Sequence, residues 1–260
     1  ATIRLIFNAL FNQIDSRKET IMLLPVIVSQ YDLSQVLASR LRMPVLVDPI
    51  PLEFTPENLA RWAKFGLRPV FLPDAEITED MDIPGWIKLD KWFYDQIRNG
   101  KLGSDSAKLF SGWYLADITP GADYTDGTQV FPNDPLLPII ARLREQGKIG
   151  KYNNIPMGSR FAITNDEWRN VVCPAIAEAL GFRPEQVRLE RAIEFNAIGN
   201  LYDPNRGKYN MWEWFHDVFE DSDRLNGGPR GLGGLASVLE YGSDFRDDSR
   251  AGRPLVSFVR

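Results

Sequence analysis

A chain of 260 residues, 44% of them hydrophobic and including 15 Phe, 8 Tyr and 7 Trp, has ample material for a packed core, which excludes a disordered polymer. Its net charge of −5, with no lysine- or arginine-rich run, argues against nucleic acid as a partner, because phosphate binding needs a clustered basic surface. One cysteine permits no internal disulfide, no apolar run approaches the ~20 residues of a membrane span, and no signal peptide is visible.

Residues 1–24 mix apolar and charged side chains and read as one short strand or helix. Leu24-Pro25-Val26-Ile27-Val28 reads as a buried strand, followed by a helix over 34–41 and a further strand over 43–49. Thr55-Pro56-Glu57 is a helix start, with a capping hydroxyl and proline in the first turn; Leu59, Trp62 and Ala63 share a face and Gly66 ends it. A strand over 67–72 follows. A second amphipathic helix uses Leu89, Trp92, Phe93 and Ile97 and ends at Gly100. The polar stretch 100–106 is the best boundary. It divides the chain into an N-terminal α/β segment, 1–105, and a second unit, 106–260. The first either folds as a small α/β unit or packs against the second.

A strand over 110–118 leads into the loop 119–134, which carries Asp123, Asp126 and Asp134. The loop lacks the Asp-x-Asp-x-Asp-Gly spacing of a calcium site, so it reads as solvated and no metal is assigned. The next helix is capped by Asn133 or Asp134, has Pro135 in its first turn, and buries Leu136, Ile139, Ile140 and Leu143. Thr164-Asn165-Asp166-Glu167 has the capping-box pattern of a further helix running to Gly181, with Trp168, Val172, Ile176, Ala179 and Leu180 on its stripe. Pro174 should bend that helix, and Cys173 reads as a small buried residue rather than a nucleophile.

In the C-terminal part, an extended Trp212-Glu213-Trp214 would put both indoles on one face, as core anchors, and Glu213 on the other. Six glycines between 227 and 242 call for tight turns and loops, and residues 237–250 show no helical or strand period. No Gly-Lys-Ser/Thr accompanies the glycines, so no nucleotide site is assigned. His216, the only histidine, reads as structural, and the carboxylates Glu213, Asp217, Glu220, Asp221 and Asp223 read in good part as a solvated face.

These pieces resemble a known family. Arg188-Leu189 followed by Glu194-Phe195 is similar to the Arg-Leu-Pro-Thr-x-x-Glu-Trp-Glu motif of formylglycine-generating (sulfatase-modifying) proteins. Asn210-Met211-Trp212-Glu213-Trp214 is similar to their Asn-Val-Trp-Glu-Trp, Gly227-Gly228 to their Arg-Gly-Gly-Ser-Trp, and Gly252-Arg253 to their closing Gly-Phe-Arg. The order and rough spacing match over about the last hundred residues. The resemblance implies an α+β chain with a C-type lectin fold of the formylglycine-generating-enzyme-like branch over about 106–260, preceded by the α/β segment.

The departures decide the expected function. Glu190-Arg191 replaces Pro-Thr, Pro229 replaces the serine, and Ala251-Gly252-Arg253 lacks the phenylalanine. The branch's oxidases need C-terminal cysteines and its sulfoxide synthases several histidines; this chain has only Cys173 and His216. No catalytic residue or cofactor is assigned, and the chain is expected not to be an enzyme. Among non-enzymatic members it most resembles the variable proteins of diversity-generating retroelements, whose C-terminal segment forms a sequence-variable binding face. That resemblance makes Trp212, Trp214, Gly227, Gly228 and Arg253 the scaffold. It places Pro229, Arg230, Leu232, Ser237, Leu239, Glu240, Tyr241, Phe245, Asp247 and Ser249, within a variable segment of about 223–250, on the ligand face. Leu239, Tyr241 and Phe245 would give apolar contact to a protein or other macromolecule, with Arg230, Arg246 and Asp247 setting polarity. The alternatives are a formylglycine-generating-type oxidase or related metalloenzyme with a relocated active site, and a structural or virion component that oligomerises through its N-terminal part. Ligand identity, oligomeric state and location, including display on a virion or cell surface, stay open.

Overall fold

The computed structural model describes residues 30–124 and 129–258, so the elements expected before residue 30, and Asp126, lie outside the described residues. The chain is an α+β fold. Helix α1 (Gln30–Leu41) already includes residues 30–33, ahead of the expected start at 34, and buries Leu37 and Leu41. The segment after it, interrupted by Pro44, Pro49 and Pro51, forms no strand. Side chains of α1 hold its backbone instead: the Val47 N–H donates to Ser34 Oγ at 3.3 Å and Gln30 Nε2 to the Val47 carbonyl at 3.4 Å. Thr55 caps α2 (Pro56–Ala63) by accepting from the Asn58 amide at 3.2 Å, and Asp90 caps α3 (Lys91–Arg98) by accepting from the Phe93 amide at 3.1 Å.

Helix α4 (Leu137–Glu145) starts later than the Asp134 cap suggested. The Asp134 carboxylate does accept from the Leu136 amide at 2.9 Å, yet Pro135 and Leu136 remain outside the helix while Asp134 is drawn toward Arg160. The capping box of α5 (Asn165–Glu167) is complete, with Thr164 and Glu167 bonded reciprocally at 3.1 and 3.0 Å. The bend expected at Pro174 is taken up as a π-helical turn, Trp168–Val172, in which the Cys173 amide reaches back to the Trp168 carbonyl. A proline at 174 has no N–H for the residue-170 carbonyl, so the wider turn loses nothing there. Helix α6 (Cys173–Leu180) then runs to Gly181, and α7 spans Ala192–Leu201.

A short ladder pairs β2 (Ala75–Glu76) with β3 (Lys108–Leu109). The first large sheet contains β1 (Leu67–Leu72), β4 (Gly112–Asp117), β5 (Val187–Leu189) and β10 (Pro254–Ser257), in the order β1-β4-β10-β5 and antiparallel throughout. Its side chains alternate between two cores. Leu67, Phe71, Trp113, Leu115, Leu189 and Val256 meet Trp62 of α2 and the apolar faces of α4 and α6. Val70, Leu72, Tyr114, Ala116 and Leu255 meet Phe93 of α3, Phe195 of α7 and the second sheet. β1 precedes residue 105 and its partner β4 follows it, so the polar stretch 100–106 is a turn between α3 and β3 and the core runs across it.

The second sheet has the order β8-β7-β6-β9, from β6 (Trp212–Phe219), β7 (Asp223–Gly227), β8 (Val238–Gly242) and β9 (Arg250–Gly252), with β9 parallel to β6. The glycine-rich connection from β7 to β8 folds into two single 3₁₀ turns, Arg230–Leu232 and Gly234–Ala236. A Cβ on Gly227 would stand 2.1 Å from the Ser237 carbonyl oxygen, and Gly228 sits at φ +95°, so this entry to the turn requires the glycine pair. Residues 238–242, expected to be aperiodic, are a strand. Val238 is buried while Leu239 and Tyr241 point outward, and apolar residues on both faces hide the alternation.

Candidate functional site

The register of β6, β7 and β8 places Trp214, Asn226 and Leu239 in one cross-strand row and Val218, Arg224 and Tyr241 in another, all on one face. The opposite face carries Phe215, Phe219, Leu225 and Val238 into the core. The first face is covered at Trp214, whose indole N–H donates to the Ile163 carbonyl at 3.0 Å, and opens outward from there. Val218, Leu239, Tyr241 and Phe245 are 46%, 37%, 36% and 41% exposed. Four large apolar side chains at a sheet surface form a patch of the kind that marks an interaction site.

Arg250 supports that patch from below. Its guanidinium lies 3.9 Å from the Tyr241 ring centre, 4.8 Å from Phe245, 5.6 Å from Trp212 and 5.7 Å from Trp214. The Tyr241 and Phe245 rings are 5.1 Å apart and tilted by 32°, roofing the cation. Arg250 is buried and ion-paired with Asp247, and its burial lowers its pKa. The turn leading from β8 to β9 is pinned to α5: Ser243 Oγ donates to Asp166 Oδ2 at 2.9 Å, and the Asp166 amide donates to the Ser243 carbonyl at 3.1 Å. Arg246 donates to Glu167 Oε1 and to the Ala162 carbonyl, both at 2.6 Å. The backbone beneath the patch is therefore held by bonds in which Leu239, Tyr241 and Phe245 side chains take no part.

Of the ten positions expected on the ligand face, Leu239, Tyr241 and Phe245 are brought together here. Arg230 and Leu232 are exposed, but on the β7–β8 connection, beyond the other end of β8 and roughly 13 Å of strand away. Pro229 and Ser237 are buried and belong to the frame. The Pro229 carbonyl accepts from the Leu232 and Gly234 amides and the Ser237 carbonyl from the Gly228 amide, because the glycine turn must satisfy its own backbone. Glu240 is half-buried on the opposite side of β8. Ser249 donates to Asp247 through its hydroxyl at 2.6 Å and its amide at 2.7 Å, and both are half-buried. Arg246, expected to set surface polarity, turns inward. Val218 and Arg224 join the face only through strand register, which sequence reasoning does not reach. The local signal for Arg250 is no more than Asp247 three residues earlier.

The expected scaffold residues are buried, and one of them, Arg253, belongs to a charged network. Arg253 lies 2.9 Å from Glu213 and 3.9 Å from Asp117; Asp117 also pairs with Arg160, which reaches Asp134 at 2.7 Å; Arg206 pairs with Glu190. Burial alone would raise the Asp117 pKa, but Arg160 and Arg253 outweigh it and hold it below the ordinary carboxylate range. Burial, opposed by Arg206 and reinforced by Glu213, pushes Glu190 up to about 7. Glu194 is buried too, but its twofold pairing with Arg188 at 2.6 and 2.7 Å brings it down to about 2. These pairs correct the solvated-face reading. Glu213 and Asp217 are buried, the latter accepting from the Ala192 amide at 2.7 Å at the start of α7; Glu220 and Asp221 are exposed.

Burial pushes the Cys173 thiol up to about 12, the opposite of an activated thiolate. Burial, with Arg188 and Arg169 nearby, lowers His216 to about 4, so its imidazole is neutral at physiological pH. Among the described residues, no group of three or more His, Cys, Asp or Glu side chains is placed to hold a metal ion, and no helix is long and apolar enough to cross a membrane. The arrangement at the open sheet face is one of flat apolar surface over a fixed cation, suited to holding a partner by contact. Compared with family models, curated proteins and solved structures, the chain matches none.

Proposed function

We propose that the chain is a non-enzymatic ligand-binding protein on a C-type lectin scaffold of the formylglycine-generating-enzyme-like type, working as the variable proteins of diversity-generating retroelements do. The helices α4 to α6, the Trp-Glu-Trp strand, the Gly-Gly turn and the buried Arg253 come in the order of that family, which supports the scaffold reading. One observation carries the binding reading: Val218, Leu239, Tyr241 and Phe245 stand exposed together on a sheet whose backbone is pinned by other residues. The recognition surface is then this patch, with Arg224 between Val218 and Tyr241, and the positions open to exchange are 239, 241 and 245.

The test is selection of a displayed random-peptide library on the immobilised chain. Selected binders should lose about 30-fold in affinity for the variant Tyr241→Ala/Phe245→Ala, the size expected when anchoring aromatics are removed. Binders indifferent to both substitutions, or no enrichment at all, would reject the reading. The retroelement relationship predicts a reverse-transcriptase gene beside a near-copy of the 3′ coding end that differs at adenines.

A further inference from the structure

Strand β8 is an outer strand of its sheet. The Gly228 amide donates to the Ser237 carbonyl at 3.2 Å, and the same register continues through Asn226–Leu239 and Arg224–Tyr241. Hydrogen-bonded pairs alternate along an antiparallel ladder, so Leu239 and Tyr241 turn their amide groups to β7, while Val238, Glu240 and Gly242 turn theirs outward. The two ends of this outer row are occupied. The Val238 amide faces the Asp90 carboxylate, and the Gly242 carbonyl accepts from the Phe245 amide at 3.0 Å. Between them, the Val238 carbonyl and both backbone groups of Glu240 have no partner among the described residues. An edge of this kind is a template for another strand, and here Glu240 is the charged residue on it.

We propose that the outer edge of β8 receives an extended peptide segment of a partner protein as an added strand. A lysine or arginine of the segment lies opposite Glu240, and apolar side chains on either side of it lie against Leu239 and Tyr241. The proposal rests on the reading of this face as the binding surface and specifies what it binds. Side chains alternate along a strand, so a residue facing Glu240 is flanked by two that face the Leu239–Tyr241 side. The charge follows from what is left over. Arg246 and Arg250 are taken up by Glu167 and Asp247, whereas Glu240, Asp244 and Asp248 have no ion-pair partner among the described residues; Arg224, also without an ion pair there, lies on the Tyr241 side of the sheet, away from Glu240. A second copy docking through a two-fold axis at Glu240 would set Glu240 against itself, a like-charge pair that destabilises an added strand.

The probes are capped heptapeptides alternating valine with lysine, the same peptide N-methylated at its central amide, and a valine–glutamate version, titrated by fluorescence anisotropy. The lysine peptide should bind about tenfold tighter than the N-methylated one, which lacks one inter-strand bond, and about fivefold tighter than the glutamate one. Glu240→Lys should reverse the charge preference. Glu240→Pro removes an outward N–H while leaving the bonds to β7, and should abolish binding. Amide exchange at Glu240 should slow on binding. Equal affinity for the N-methylated peptide, or no binding at millimolar concentration, overturns the proposal. A dimer in sedimentation that Glu240→Pro dissolves would seat a second copy on the edge and overturns it as well. Binding that is lost in Tyr241→Ala/Phe245→Ala yet indifferent to N-methylation rejects strand addition and keeps the binding face. Binding sensitive to N-methylation but indifferent to that double variant does the reverse.

Discussion

Replacing Tyr241 and Phe245 by alanine separates a supported surface from a core. The two rings are 36% and 41% exposed, so each is covered over somewhat more than half of its area. Full burial of an aromatic side chain is worth about 1.5–3 kcal/mol, which scales to roughly 1–2 kcal/mol for each ring here. Their mutual contact at 5.1 Å adds about 0.5–1.5 kcal/mol, and the loss of both rings from Arg250 about as much again. Against this, the uncovered guanidinium regains water. The net loss for the double variant is about 2–4 kcal/mol, or roughly 5–15 °C in a chain of this size. Two core rings would instead cost about 6–10 kcal/mol together. Urea unfolding of the wild type, both single variants and the double variant gives the total and a coupling energy of about 1 kcal/mol from the cycle. A total above about 6 kcal/mol would make the rings core and end the binding-face argument, while additive effects below about 0.5 kcal/mol would mean that they do not roof Arg250.

Three further outcomes follow from the buried groups. Arg253→Met strands the Glu213 carboxylate in the interior and should cost about 3–5 kcal/mol in urea unfolding; adding Glu213→Leu should recover at least half, and a single-variant loss below about 1 kcal/mol would show that the pair is solvated. Glu190, raised by burial from 4.5 to about 7, keeps its proton in the folded state over a range in which the unfolded chain has lost it. Its contribution is therefore full below about pH 4.5 and is lost as pH rises through about 7, a change of roughly 3 kcal/mol between about pH 5 and about pH 8 that Glu190→Gln should flatten; equal slopes in the two proteins would refute the assignment. Cys173 should resist iodoacetamide in the native protein at mildly alkaline pH and react fully after denaturation, and rapid native labelling would contradict its burial at the start of α6.

The elements that were legible in the sequence are those whose cause is local. Thr55 and Thr164 announce helix starts because a short polar side chain satisfies an amide three residues ahead, and β1 shows as a bounded run of apolar residues. The missed features depend on partners far away in the chain. Arg160 and Asp117 are 43 positions apart, and Asn165 and the Phe215 carbonyl 50. Residues 43–49 look like a strand by composition, yet the side chains of α1 take their backbone bonds first. β8 escaped because apolar residues occupy both of its faces, which erases the period of two. In the segment expected at the surface, position agreed with exposure at Leu239, Tyr241 and Phe245. It failed for Pro229 and Ser237, where the turn's own backbone bonds dictate burial.

Arg250 sets the rule for what this face can carry. Among the described residues, side chains at 239, 241 and 245 make no hydrogen bond to the backbone, so exchanging them leaves the ladder to β7 and the ties to Asp166 and Glu167 in place. Among the described residues, however, the buried guanidinium has Asp247 as its ion-pair partner, is hydrogen-bonded to Tyr241, and is shielded by whatever stands at 241 and 245. A lysine at either position would put a second cation beside it, while an aromatic, aliphatic or acidic side chain would cover or complement it. The surface is thus free in shape and constrained in sign.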